Sequence, residues 1–425
     1  MSGRRVAYIV SRFPKTTETF IVREMQAVER EGWSVVPIAI RREPDEILQP
    51  GAESYAARLV AISDLGWRRL MHAQARLARR DPRRWAAMWQ RTIVGNVRSP
   101  RFLMRGLVIA FGAPAVAEEV VRQEVSHLHA HWATHSALLA HLVGVLTGVP
   151  YSITLHAHDL HVDRTMLATK LGSAVGVVTI SQHNADLLRS EYPEVADRVQ
   201  VVHCGVDTQS IPFRPPGAIQ RPPRLVSVAG LRPFKGHRFL LDAIAELERR
   251  GIGVRCDLVG DGPLRAELER QATGSVVFHG AVDVTEAMAI VSAADVFVMP
   301  SIELADGRRD GIPVALIESI ALGVPVIASE VSGIPELVRD GSSGLLVTPG
   351  DSIAIADAIE QLLADVDLRR AIALTARLVV ESDFDLAHSG RTMAALFDRT
   401  PLIRDEQDRS DSSASLAAGS ARSFT

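Results

Sequence analysis

Apolar residues recur along this chain of 425 residues as short continuous runs, separated by longer stretches with helical spacing. The first run, Arg4–Val10, reads as a buried strand. A polar loop over Ser11–Thr17 follows, and Phe20, Ile21, Met25 and Val28 then fall on one helical face. Val35–Ile40 is predicted as the next strand. Strand, helix and strand at this spacing predict a parallel sheet with crossover helices. The pattern resumes with a strand near Val125–His129 and a helix over Ala133–Leu146. Strands at Tyr151–Leu155, Val175–Ile180 and Val199–His203 complete the first half. A second series places strands at Arg224–Ala229, Val254–Val259, Val276–His279, Val296–Pro300, Val324–Ala328 and Gly344–Val347, with helices between them. From Asp351 onward the pattern is largely helical. The expected class is α/β with two domains, since one core rarely organises a chain of this length.

The boundaries follow from composition. Residues 1–210 form the expected first domain. Ile211–Pro223, with five prolines and little periodicity, is the expected linker, and 224–385 the second domain. The tail over 405–425, rich in Ser, Asp and Ala, is expected to be disordered. One stretch within the first domain, about 55–112, reads as a helical insertion. Its Arg58–Arg105 portion carries twelve arginines against two acids, Asp64 and Asp81, together with Trp67, Trp85 and Trp89. It reads equally well as a basic amphipathic surface for anionic lipid or a diphosphate-bearing lipid acceptor, and as a solvated helical layer with its tryptophans in the core.

Charge and cysteine usage narrow the picture only a little. A net charge of −3 argues neither for nor against nucleic acid. Two cysteines, Cys204 and Cys256, are too few for a disulfide framework, which suits a reducing compartment. The opening MSGRRVAYIV runs straight into a strand with no signal peptide before it, and no apolar run approaches a membrane span. A cytoplasmic protein is expected. Lysine occurs only at Lys15, Lys170 and Lys235, the other cations being arginine, so each lysine is a candidate for a chemical role.

The segment richest in chemistry is PSIELADGRRDGIPVALIESIALG, Pro300–Gly323. A strand ends at Pro300, a glycine-bearing loop follows, and Pro313 suits the first turn of a helix. Free N–H groups at such a helix start favour an anion, here a diphosphate. Asp310 precedes the helix and Glu318 lies within it, eight positions on, a spacing that lets two carboxylates meet the sugar and the ribose of one ligand. The plainer alternative makes Asp310 a helix cap and Glu318 a solvated residue.

This segment resembles the Glu-x7-Glu signature of retaining GT-B glycosyltransferases of family 4, with Asp310 in the first carboxylate position. The downstream GVPVIASEVSGIPELVRDGSSGLLVTPGD, Gly323–Asp351, is similar to the continuation in that family, as are SVAGLRPFKGHRFLLDA, Ser227–Ala243, and LVGDGPLRAEL, Leu258–Leu268. SRFPKTTETFIVREMQ, HLHAHWATHSALLA and TLHAHDLH resemble the subgroup that builds exopolysaccharides, including colanic-acid-type enzymes. The likeness spans roughly residues 4–400 apart from the arginine-rich stretch.

The resemblance implies two Rossmann-like domains facing each other across a cleft, with the donor in the C-terminal one, the acceptor in the N-terminal one, and a last helix, 386–404, crossing back to the first domain. It implies a metal-independent hexosyltransferase that needs no cofactor beyond a UDP- or GDP-linked sugar as donor substrate. The acceptor would be a saccharide or a polyprenyl-diphosphate-linked saccharide, at or near an anionic membrane face, with no nucleic-acid partner. Lys235 would contact the donor phosphates, Glu318 the ribose hydroxyls and Asp310 the hydroxyls of the sugar. Arg232, Gly260, Gly311, Ile312 and Pro313 would complete the donor site, and His156 would sit by the transferred sugar. Thr17, Glu18, Thr19 and Asp159 would lie on the acceptor side, with Asp159 orienting either the site or the acceptor. Many relatives carry arginine where this chain has Gly230, a departure for which Arg232 would compensate.

Other readings compete. A GT-B protein that keeps the nucleotide pocket without turnover would share every motif above. Eight of the fourteen histidines fall within His127–His161: HLHAHWATH places His127, His129 and His131 on one strand face, and HAHDLH (His156, His158, Asp159, His161) is similar to the zinc ligands of metal-dependent hydrolases with the Asp displaced by one position. The triplets Asp365/Asp367 and Asp383/Asp385 resemble metal-binding motifs of GT-A transferases but lie in the terminal helical region. A dinucleotide fingerprint fails, because Arg265 stands where the third glycine would follow Gly260 and Gly262.

Overall fold

The computed structural model describes residues 4–399 apart from 16, 44–48 and 98. The expected disordered tail, 405–425, lies outside the described residues. The first sheet holds seven parallel strands: β1 Arg5–Phe13, β2 Ser34–Arg42, β3 Val60–Ala61, β4 His127–His131, β5 Tyr151–Leu155, β6 Gly176–Thr179 and β7 Val199–Val201. Their spatial order is β3-β2-β1-β4-β5-β6-β7. The second holds six: β8 Arg224–Val228, β9 Arg255–Val259, β10 Val276–Gly280, β11 Val296–Met299, β12 Val326–Ser329 and β13 Leu345–Val347, ordered β10-β9-β8-β11-β12-β13 and all parallel. Each sheet has a point where strand order reverses, between β1 and β4 in the first and between β8 and β11 in the second. In open parallel sheets a ligand crevice forms at the carboxyl ends of those strands. Two switch points therefore mark where a site belongs.

Both faces of each sheet are covered, which is why the strands read as unbroken apolar runs. On one face of the first sheet, Ile9, Ile38, Leu128 and Ile153 pack against Ile109, Val116, Leu138 and Leu142. On the other, Tyr8, Val10 and Val35 meet Ile21, Met25 and Phe397. Phe397 belongs to the last helix, Leu386–Asp398, which lies on the first domain with its ring 5.4 Å from Trp33 in an edge contact. Among the described residues, no helix is long and apolar enough to cross a membrane.

Two sequence expectations need correcting. The chain leaves the first domain before the proline run: Val202 packs in the core of the first domain and Val206 already in that of the second. The outgoing and returning segments pair where they cross, through Val206 N–H to Phe384 C=O and Leu386 N–H to Val206 C=O, both 2.9 Å. The proline-rich segment instead lies along the second domain, where Arg369 donates to Gly217 C=O and Arg214 N–H to Leu322 C=O. Prolines suppress periodicity, but they can still pack.

The arginine-rich stretch is likewise not a separate insertion at its far end. Its helices are Trp67–Arg80, Pro82–Asn96 and Pro100–Arg122. The third runs well past residue 112 and buries Ile109, Ala113, Val116 and Val120 as the crossover leading into β4. Trp85 and Trp89 pack against the core, Trp85 Nε1 donating to Gln74 at 2.8 Å, whereas Trp67 is 69 % exposed. The stretch thus has an inner apolar layer and an outer basic one.

Candidate active site

The carboxyl end of β8 leads into Gly230–Lys235, and that of β11 into Pro300–Ser301, so the second switch point brings these loops side by side. Ile302 N–H donates to Phe234 C=O at 2.8 Å, pinning one to the other. Gly236, with φ 68°, follows Lys235; a Cβ there would stand 1.8 Å from Pro300 O, so no other residue permits this approach. The close approach delivers Lys235 to Asp310, with Nζ 2.6 Å from Oδ1 and both side chains largely buried. Ser301 Oγ donates to the other oxygen of Asp310. Asp310 is therefore not a helix cap.

The helix Val314–Leu322 starts three residues after Gly311. Pro313 stands at its N-cap position, with φ −65° and ψ 126°, one residue before the first turn expected for it. Leu316 N–H turns back to Pro313 C=O at 3.0 Å, and the N–H groups ahead of it have no carbonyl of the helix to meet, which leaves partial positive charge at the helix start. Ile312 is buried, and Gly311 lies against Ile180 of the first domain. Gly260 ends β9 with φ 133°, its Cα held against Ala229 C=O. At Gly230 a Cβ would meet nothing closer than 3.6 Å, and Arg232 Nε lies 3.9 Å away, so the Arg232 side chain borders the space an arginine at 230 would enter.

Glu318 is not a solvated helix residue either. Its side chain is 12 % exposed and accepts from Arg23 Nη2 at 2.6 Å, across 295 positions and between the two domains. A second cross-domain contact supports the first: both carboxylate oxygens of Glu336 accept from the N–H groups of Gln182 and His183 at 2.8 Å, at the start of the helix Gln182–Glu191. The domains meet over the cleft in two charge-assisted places.

The wall contributed by the first domain is built around its own switch point. His156 ends β5 and begins the helix Ala157–His161; its N–H donates to Asp159 Oδ2 at 2.9 Å. Its ring packs 4.9 Å from Trp132 and 5.2 Å from Phe20. Trp132 adopts φ 67°, which is uncommon for a bulky residue, directly after β4. Behind the ring a hydrogen-bond chain runs inward: His156 Nε2 is 3.4 Å from His131 Nδ1, and His131 Nε2 is 3.2 Å from Glu24 Oε1, which also takes the Tyr8 hydroxyl at 2.9 Å. Because a carboxylate oxygen only accepts, His131 carries its proton on Nε2 and accepts from His156 Nε2–H, fixing that ring's tautomer. Burial, with a smaller push from His131, holds His156 well below the usual imidazole range, so it is neutral.

Asp159 is fully buried, and burial raises it to about 7, so it shapes the turn under His156 and does not face an acceptor. Nearby, Lys170 is buried and pulled down to about 8 by burial; its Nζ donates to Ala133 C=O and Thr134 C=O, tying down the Trp132 turn. Lys15 pairs with Glu18, the N-cap of the helix Thr19–Arg30, and burial raises Glu18 against the pull of Lys15. Thr17 is exposed and Thr19 half-buried beside them. All three lysines are thus engaged at or just behind the cleft.

The ligand set read from HAHDLH is not assembled. His156, His158, Asp159 and His161 do not converge: His158 is exposed, and His161 packs toward His183. Among the described residues, one group of three ligand atoms does converge, Glu24 with His129 and His131, and it belongs to the chain behind His156. Asp365 and Asp385 are N-caps of the last two helices. Arg23, Glu24 and Trp132 are not singled out by the sequence, and His131 is, but as a metal ligand. Their partners lie up to 295 positions away, and the one local signal was their place at the ends of strand and helix facing the cleft.

Comparison with known proteins adds a family. A model described as glycosyl transferases group 1 matches residues 222–365, and one described as glycosyltransferase family 4 matches 18–210. The chain is 29% identical over 413 residues to WcaL of Salmonella typhimurium, named as a colanic acid biosynthesis glycosyltransferase, covering 92% of this chain and 99% of that one. It is 33% identical over 209 residues to AmsK of Erwinia amylovora, an amylovoran biosynthesis glycosyltransferase, which is 48% of this chain and 51% of AmsK, so that match spans about half of the relative. Among solved structures, HepE of Anabaena in complex with UDP superposes with a TM-score of 0.68 at 16% identity, over 93% of this chain and 100% of that one, a likeness of fold.

Proposed function

The chain belongs to the glycosyltransferases of group 1 and family 4, with two Rossmann-like domains in the GT-B arrangement, and on that premise we propose that it moves a hexose from a UDP- or GDP-linked sugar to a saccharide or lipid-linked saccharide in exopolysaccharide synthesis. The observation that carries this reading is the largely buried Lys235–Asp310 pair, with Asp310 four residues before the start of the Val314–Leu322 helix. A cation and helix-start amides suit a diphosphate; two carboxylates suit the hydroxyls of a sugar and a ribose. Arg232 supplies the second positive group that Gly230 lacks.

The reaction we propose is a front-face substitution that retains configuration and uses no metal. The bond from C1 to the diphosphate oxygen breaks as the acceptor oxygen bonds C1 on the same face. The acceptor proton passes to the departing phosphate oxygen. No protein nucleophile is required, and the protein acts by positioning and by stabilising charge on the leaving diphosphate. His156, neutral and held by its hydrogen-bond chain, faces the hexose. Thr17, Glu18 and Thr19 border the acceptor.

The test is a panel of nucleotide sugars. The matching donor is expected to raise the melting temperature, since saturation at a hundredfold over Kd adds about 2.7 kcal/mol. The same donor is expected to support transfer in the presence of EDTA. Donor binding without transfer or hydrolysis would favour a non-catalytic nucleotide-sugar protein, and loss of activity with EDTA would remove the metal-free step.

We further propose peripheral contact with an anionic membrane through the outer layer of the arginine-rich helices. Ile93, Val94, Val97, Met104 and Val108 are exposed there together with Arg91, Arg101 and Arg105. Sedimentation with phosphatidylglycerol vesicles is expected at low salt and to weaken at 0.5 M salt, with Arg101→Glu and Arg105→Glu together abolishing it. Binding that is indifferent to salt would exclude this.

A further inference from the structure

Arg23 presents a feature that a simple ion pair does not explain. Its Nη2 is committed to Glu318, yet its Nη1 is buried and has no hydrogen-bond partner among the described residues. A buried polar group left unmatched costs about 1–3 kcal/mol, more when charged, and such groups mark places where a ligand or water completes the structure. The guanidinium is planar, and its donors diverge in one fixed plane. Because Nη1 and Nη2 share one carbon and one plane, an oxygen that accepts from Nη1 lies close to the carboxylate that accepts from Nη2. The side chains of Arg23 and Glu318 are only 19 % and 12 % exposed, so bulk water does not satisfy the remaining donor freely.

We propose that Arg23, carried by the N-terminal domain, is a donor-site residue that donates through Nη1 to a ribose hydroxyl held by Glu318. This rests on the reading of Glu318 as the ribose carboxylate. The class of ligand is a ribonucleoside diphosphate: a vicinal diol gives both O–H groups to Glu318 and lone pairs to Arg23, and a carboxylate flanked by a guanidinium matches that donor–acceptor pattern. The arrangement also ties nucleotide binding to domain closure. The nucleotide would bridge a helix of the first domain, Thr19–Arg30, and one of the second, Val314–Leu322. Lysine would not replace Arg23, because a single ammonium lacks the fork that reaches both the carboxylate and the hydroxyl.

The test is calorimetric titration of the full chain with UDP and GDP, each alongside its 2′-deoxy and 3′-deoxy forms. Wild type is expected to prefer the ribo form of the favoured base by tenfold or more over at least one deoxy form. Arg23→Met is expected to weaken ribonucleotide binding about tenfold and to collapse that preference toward unity, with Arg23→Lys recovering little of it. A purely structural ion pair would weaken ribo and deoxy forms alike, so an unchanged preference in either variant overturns the assignment of Arg23. Wild type that binds neither UDP nor GDP overturns the donor-site reading itself and this inference with it. Wild type that binds without discriminating the deoxy forms removes the ribose contact alone. Thermal melts of both variants establish that the domains remain folded, and Arg23→Lys, which keeps the charge, carries the test if Arg23→Met does not fold.

Discussion

Lys235→Ala is expected to lower kcat by about 10²-fold or more, the scale on which a positioned charge stabilises a developing anion. The ammonium sits in a largely buried pair with Asp310 at 2.6 Å, where water screens it poorly. It has two further N–H groups with which to meet a diphosphate. In the ground state the donor's phosphates share their charge with solvent and the helix amides. As the C1–O bond lengthens, charge gathers on the departing oxygens, and a cation fixed beside them gains more than it gained on binding. The loss should therefore fall on kcat more than on KM. Glu318→Ala is expected to cost a comparable factor in kcat/KM through the ribose, with KM carrying more of it.

One complication has a direct remedy. Removing Lys235 leaves Asp310 buried with Ser301 as its remaining partner, and breaking such a pair destabilises proteins by about 3–5 kcal/mol. Loss of activity from Lys235→Ala alone would then mix chemistry with unfolding. Lys235→Met combined with Asp310→Asn restores a neutral pair, so its melting temperature should return toward that of wild type while turnover stays low. Turnover within threefold of wild type in Lys235→Ala would refute the phosphate role of Lys235.

The strands were legible because both faces of each sheet are covered, making every strand an apolar run. β3 escaped notice since two residues, Val60 and Ala61, carry no pattern. The crossover helix Pro100–Arg122 was folded into an insertion because its outer face continues the arginine-rich composition while its inner face packs on the sheet. The domain crossing was misplaced by a few residues because prolines mark irregular backbone without saying which core it rests on. In each case the local spacing is retained in the fold, and tertiary packing decides the rest.

The site divides the same way. Lys235, Asp310 and Glu318 are found by motif because each sits at a fixed distance from a strand end, and the fold delivers them to one switch point. What a linear pattern does not contain is which charge each will face. Glu318 meets Arg23 of the other domain, and Asp310 takes Lys235 and Ser301 in place of the helix amides. His129 and His131 looked like metal ligands because alternation puts them on one face of β4. Their neighbours on β5, Ser152 and Thr154, and Glu24 on the helix turned them into a hydrogen-bonded stack.

The buried histidines of both domains make the protein acid-labile, and the expected effect is large. Burial holds His127 at about 3, and burial with nearby cations holds His141 and His237 at about 4, against an ordinary 6.5. Burial pushes His129 and His156 well below that value too. A histidine depressed in the folded state stabilises fully above its unfolded pKa, and that contribution is lost as pH falls from about 6.5 toward the folded value. Between pH 7 and pH 5 each of the first three should forfeit about 2 kcal/mol, a sum that rivals the total stability of a domain. Asp159 opposes them: raised to about 7, it destabilises as pH rises from about 4 to 7, so acidification relieves that cost by about 2 kcal/mol. One carboxyl does not offset the histidines, and the melting temperature should fall steeply below about pH 6. His237, whose ring nitrogens are buried without partners among the described residues, offers the cleanest check. His237→Leu should reduce the proton uptake on unfolding near pH 5.5 by close to one. A melting temperature flat between pH 7 and pH 5 would mean that these imidazoles are far more accessible to protons than their packing implies.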